Sequence, residues 1–184
     1  GEWWAELAHV LGALAKAAPS PAEAAKLLEE RARVERDWVK APRAAIASFR
    51  AALDRRPGVD LLDPLIALYE GEEMWDELVQ AYEERARLTE DARARAGLIG
   101  KAALVLDARL RRGEDAVATW ERALDLAPDD AGALRQLQAL CVRTKNRRGL
   151  AEALVREATV LHGRTTPEAA ERLAVCAVEA AKVL

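Results

Sequence analysis

The sequence predicts an all-α fold of antiparallel helix pairs, about ten helices in all. Three observations carry this. Ala, Leu, Arg and Glu dominate the 184 residues, while there is one Phe and two Tyr. Those dominant types are good helix formers. The chain resembles itself at a fixed shift, the one that lays Ala116 on Ala45. Prolines fall between apolar periodic runs, where helices stop and start.

The predicted helices are 2–17, 21–38, 42–56, 60–70, 74–90, 92–111, 114–126, 130–144, 148–162 and 166–184. Ser20-Pro21-Ala22-Glu23 supplies a capping box with Pro at the first helical position. Thr166-Pro167 repeats that cap-then-Pro signal, and Asp129 and Asp130 suit the positive end of the helix after them. Gly71, Gly113 and Gly163 follow periodic runs, where left-handed C-terminal caps belong. Short connections make neighbours antiparallel.

The self-match is specific. At that shift residues 114–130, EDAVATWERALDLAPDD, fall on 43–59, RAAIASFRAALDRRPGV. Ala116 meets Ala45, Trp120 meets Phe49, Ala123 meets Ala52, Leu124 meets Leu53 and Pro128 meets Pro57. Trp75 meets Trp4, and Leu98 meets Leu27. A partial third copy follows at a slightly longer spacing, with Leu173 on Leu98 and Leu150 on Trp75. The repeat units are 1–71, 72–145 and a partial 146–184, each full unit holding four helices. A closed up-and-down bundle is the alternative, but it gives no reason for residues at one fixed spacing to match. The chain starts without Met and stops at Val183-Leu184 in an apolar run, so a piece of a longer chain is expected.

Ala45, Phe49, Ala52, Pro57 and Ala116, Trp120, Ala123, Pro128 resemble the second-helix signature of tetratricopeptide repeats. Small alanines let two helices approach, the aromatic fills the gap to the next repeat, and Pro ends the helix. The first helices depart from the family's Trp-x2-Leu-Gly-x2-Tyr run, with GLIGKAALVLDA standing at 97–108. The resemblance implies a divergent, right-handed α-solenoid of tetratricopeptide-like pairs, and a protein-interaction module or scaffold. It also implies a partner segment on the concave face, lined by the first helix of each pair. The polar residues it places there are Lys101, Arg109 and Arg135. The basic residue with an Asn four positions on, which some members use to hold a C-terminal carboxylate, is absent: Val105 follows Lys101 and Ala139 follows Arg135.

Other chemistry finds little footing. His9 and His162 are far apart, and no HExxH, GxSxG or Gly-rich phosphate loop exists. No enzyme, cofactor or metal site is expected. Cys141 and Cys176 match no zinc spacing and read as buried small hydrophobes. His9, between Ala8 and Val10, reads as a core or interface residue. Trp4, Trp75 and Trp120 read as core, and Trp38 as an interface anchor or a packing residue. The net charge of −3, with both signs interspersed, gives no footprint for nucleic acid. The basic run RTKNRR at 143–148 reads as an enlarged loop, either solvated or facing an acidic protein partner. No run of uncharged apolar residues is long enough for a membrane span, so none is expected. The expected partner is a protein or peptide. Self-association through apolar terminal helices is the second expectation, and composition hints at a bacterial source.

Overall fold

The computed structural model describes residues 2–162 and 167–183. They form α1 (Glu2–Ala17), α2 (Pro21–Val34), α3 (Pro42–Leu53), α4 (Val59–Gly71), α5 (Trp75–Arg87), α6 (Ala92–Ala108), α7 (Gly113–Leu126), α8 (Ala131–Thr144), α9 (Arg147–His162) and α10 (Pro167–Val183), and α2 continues into a π-helical turn, Glu35–Val39. No strand occurs among the described residues. The chain divides into two compact units, Gly1–Leu88 and Thr89–Leu184. Within each unit every helix packs on the next one in sequence. This is an all-α arrangement of successive packed helices.

The helix starts repeat as the sequence does. The starts of α2 and α6, Pro21 and Ala92, and those of α3 and α7, Pro42 and Gly113, keep the spacing of Ala45 and Ala116. The starts of α4 and α8, Val59 and Ala131, and those of α5 and α9, Trp75 and Arg147, are one position further apart. The α5–α9 offset corrects the expected pairing of Trp75 with Leu150, which instead corresponds to Leu78. The caps explain the boundaries. The Ser20 hydroxyl accepts from Glu23 N at 3.2 Å, and Asp130 Oδ1 accepts from Gly132 N and Ala133 N at 2.8 and 3.0 Å. Thr166 lies outside the described residues. One proline departs from the expected punctuation, since Pro64 stands inside α4.

The expected glycine caps are corrected. Gly71 is the last residue of α4 and Gly113 the first of α7, and neither has positive φ; Gly163 lies outside the described residues. The left-handed positions are Lys40, Glu73, Arg111 and Lys145, each in the turn inside a pair. Their closures alternate. Ala41 N bonds Glu35 O, and Arg112 N bonds Leu106 O, six residues back. Met74 N bonds Tyr69 O, and Asn146 N bonds Cys141 O, five residues back in the Schellman manner. A left-handed residue with a Cβ is strained by roughly 1–2 kcal/mol. Glu73 also places a negative charge at a helix C-terminus, the unfavourable end. Glu73→Gly should therefore raise stability by about 1 kcal/mol, read as a melting temperature higher by roughly 2–4 °C. An unchanged or lower melting temperature would contradict this account of the turn.

The cores follow the repeat motif. Ala45, Phe49 and Ala52 are fully buried in unit 1, and Ala116, Trp120 and Ala123 are buried in unit 2. Trp4 and Trp75, expected in the core, are only half-buried. Trp4 stacks on Trp38 with ring centroids 4.6 Å apart, and Trp38 stays 58% exposed. His9 is exposed, so it is not a core residue: the buried side of α1 is Ala8, Leu11, Gly12 and Ala15.

Candidate interaction groove

The first helices of the pairs in unit 2 are α6, α8 and α10. Between α8 and α10, with α9 as floor, lies a groove of about 460 Å³. Leu150 and Leu154 form its base, and Ala139 and Val142 line the α8 side. Val142 is 63% exposed. Arg135 and Gln138 stand on the α8 side, Glu179 and Lys182 on the α10 side. Val175 and Val178 of α10 are also exposed. They fall with Glu179 and Lys182 at i, i+3, i+4 and i+7, one face of the helix.

Helices α8 and α10 are held together by a polar cluster. Arg172 donates from Nε and Nη2 to the two oxygens of Glu157 at 2.8 and 2.9 Å, and Gln138 Nε2 donates to Glu157 Oε2 at 2.7 Å. Arg172 Nη2 also reaches Gln138 Oε1 at 3.5 Å. The Arg172 hydrogen bonds, helped by Gln138 and Cys176, hold the Glu157 carboxyl down at about 2, against the opposing effect of burial. Its folded pKa lies below its unfolded one. The stabilisation is therefore complete above the unfolded value of about 4.3 and is lost as pH falls from there towards about 2. Arg172 is 40% exposed, so screening reduces the effect. We expect a loss on the order of 2 kcal/mol across that window. Acid titration of stability should lose this component in Glu157→Gln; an unaltered acid limb would contradict it.

Of the three residues named from the sequence, only Arg135 lines this groove. Lys101 is exposed in the middle of α6, and Arg109 is exposed at its C-terminal cap. Eight positions separate them, about 12 Å of rise and roughly 80° of rotation, so they do not share one line of the helix. α6 presents Lys101 beside the exposed Leu104. Asp107 of α6 pairs with Arg143 of α8, next to Val142.

The run 143–148 is a tight turn, not an enlarged loop. α8 ends at Thr144, Lys145 is left-handed, and α9 starts at Arg147. The Asn146 side chain accepts from Gly149 N at 2.9 Å, and Arg148 pairs with Glu152. Both cysteines are buried and free, and burial, the largest cause, pushes each thiol up to about 11. They are neutral at physiological pH and belong to the packing. No group of three His, Cys, Asp or Glu able to hold a metal occurs among the described residues. No helix among them is long and apolar enough to cross a membrane.

What the sequence missed here is the Gln138–Glu157–Arg172 cluster. Glu157 sits in a helix rich in surface charges, and nothing local distinguishes it. A signal existed all the same: Glu157 near the end of α9 and Arg172 near the start of α10 stand at positions that antiparallel packing brings together.

No family matches the chain by sequence, and no curated protein does. Among solved structures it is similar to MamA, with 14% identity over 95% of this chain and 87% of that one, at a TM-score of 0.48. A second MamA structure shows 16% identity over 86% of this chain and 87% of that one, at 0.47. YrrB, described as a TPR protein with an unusual peptide-binding site, shows 20% identity over 86% of this chain and 82% of that one, also at 0.47.

Proposed function

We propose that this chain is a protein-interaction module whose groove between α8 and α10 holds an extended segment of a partner. The observation that carries the reading is the groove itself: an apolar base open to solvent, beneath a rim carrying Arg135 and Lys182 against the single carboxylate Glu179. Apolar side chains of the segment rest on Leu150, Leu154 and Val142, and its carboxylates face the two cations. Lys101 and Arg109 extend the cationic surface along α6 and steer an acidic segment rather than seat it.

A labelled peptide of alternating Leu and Asp, followed by fluorescence anisotropy, tests this. Arg135→Glu should weaken binding about tenfold, equivalent to about 1.4 kcal/mol, with the circular dichroism spectrum unchanged. Lys101→Glu should slow association and leave dissociation nearly unaltered. Equal affinity in wild type and Arg135→Glu would remove this groove from the interaction.

One observation favours a second reading, self-association through the end helices. Trp3, Val10 and Leu14 are exposed on α1 and follow one another at seven- and four-residue steps along one face. Concentration-dependent light scattering that is abolished by Leu14→Glu would support it, and a strict monomer would exclude it.

A further inference from the structure

Unit 1 has a notch between α3 and α5, with α4 as floor, of about 530 Å³. Leu62, Leu65 and Tyr69 form the floor, all buried, and Leu53 and Ala81 the walls. The rim carries four carboxylates, Asp54, Glu77, Glu83 and Glu84, and two arginines, Arg50 and Arg87.

Unit 2 shows what its own counterpart of this notch holds. At the offset of α3 and α7, Asp54 corresponds to Asp125; at the offset of α5 and α9, Glu84 corresponds to Arg156. The floor corresponds too, with Leu134, Leu137 and Cys141 buried where unit 1 has Leu62, Leu65 and Tyr69. In unit 2 the Arg156 guanidinium crosses from α9 and donates from Nη1 to Asp125 Oδ1 at 2.8 Å. In unit 1 a carboxylate stands where that arginine should be, so Asp54 and Glu84 line the same notch with like charge. Arg87 pairs with Glu84 from its own helix, but its side chain is 74% exposed and lies one turn further on.

We propose that the unit 1 notch receives an arginine side chain from a partner protein, its guanidinium set between Asp54 and Glu84 as Arg156 is set on Asp125. The site is separate from the groove in unit 2 and stands whether or not that groove binds a segment. The chemistry selects arginine among cations. Two carboxylates on opposite walls suit a planar fork with donors on several edges, whereas an ammonium is a point charge. The methylene stem suits Leu53 and Ala81, and the weakly hydrated guanidinium suits an apolar-floored recess.

The test uses the whole chain, labelled with nitrogen-15, and the capped tripeptide Leu-Arg-Leu as probe. Its citrulline counterpart has the same shape without charge, and its lysine counterpart the charge without the fork. We expect saturable shifts of the Asp54, Tyr69 and Glu84 amides with the arginine peptide, at least tenfold weaker with the other two. Asp54→Asn should weaken binding about tenfold. Glu84→Arg recreates the unit 2 arrangement and should abolish binding while raising the melting temperature. Circular dichroism verifies that both variants fold. Three results overturn the proposal: an arginine peptide that binds no better than its citrulline or lysine counterpart, shifts confined to the groove of unit 2, or full binding retained in Glu84→Arg.

Discussion

Trp120→Ala should cost about 3–5 kcal/mol, the range for truncating a large buried aromatic. Trp120 is 8% exposed in the middle of α7. Its ring lies on α6 where Gly100 leaves room: a Cβ on Gly100 would stand 2.8 Å from the ring. The two residues are a matched pair, a large side chain seated in the space of a missing one. Alanine at 120 leaves that space empty, and a close-packed interior relaxes into such a cavity only in part. Such a loss is a large part of the roughly 5–15 kcal/mol that holds a typical domain folded. Urea unfolding followed by circular dichroism measures it. A change below about 1 kcal/mol would mean that Trp120 does not fill the α6–α7 interface. The ring rests on the first helix of its own pair, at Gly100.

The second large effect is expected at Glu35. This carboxylate is 4% exposed, at the start of the π-helical turn. Arg31 Nε donates to its Oε1 at 2.8 Å, and the buried Ser48 hydroxyl of α3 donates to its Oε2 at 2.6 Å. Gly12 of α1 makes room for the arginine, since a Cβ there would meet Arg31 Nη1 at 2.6 Å. A polar thread thus runs from α2 to α3, with room left for it by α1. Glu35→Ala removes the shared acceptor and strands a hydroxyl and a guanidinium. Breaking a buried pair by removing one partner costs about 3–5 kcal/mol; we expect about 2–4 kcal/mol, because Arg31 is partly exposed and can turn to water. Glu35→Gln, which keeps an acceptor oxygen, should lose less. Equal stability of Glu35→Ala and wild type in urea would show that the thread contributes nothing.

The fold was legible because helix ends are local chemistry. Ser20, Pro21 and Asp130 specify their starts through bonds within three residues, and a sequence displays such spacings directly. The long first helix at 21–38 was visible as well, but not its nature. The extra length is a π-helical turn, set by where Ala41 finds Glu35 O. What stayed hidden depends on groups far apart in sequence. Ser48 gave no hint of Glu35 on another helix, and the run 143–148 looked like a loop because the third copy departs from the repeat spacing there. Lys40, Glu73, Arg111 and Lys145 adopt a conformation usually given to glycine, so a search for glycine caps could not find them. Of the candidate site, Arg135 was found and the polar cluster beside it was not. A face can be read from helical period, whereas the neighbour across a turn needs the packing.

The alternating turns bear on changes of length. Six-residue closures at Ala41 and Arg112 enclose a five-residue closure at Met74, and another follows at Asn146. One pair is therefore not equivalent to the next, but every second pair is. By these closures the structural period of the described residues is a block of four helices and not the two-helix hairpin. A descendant that gains or loses a whole such block joins like turn to like turn. One that gains or loses a single hairpin places a helix after a closure of the wrong length, turned by about 100° per residue of error.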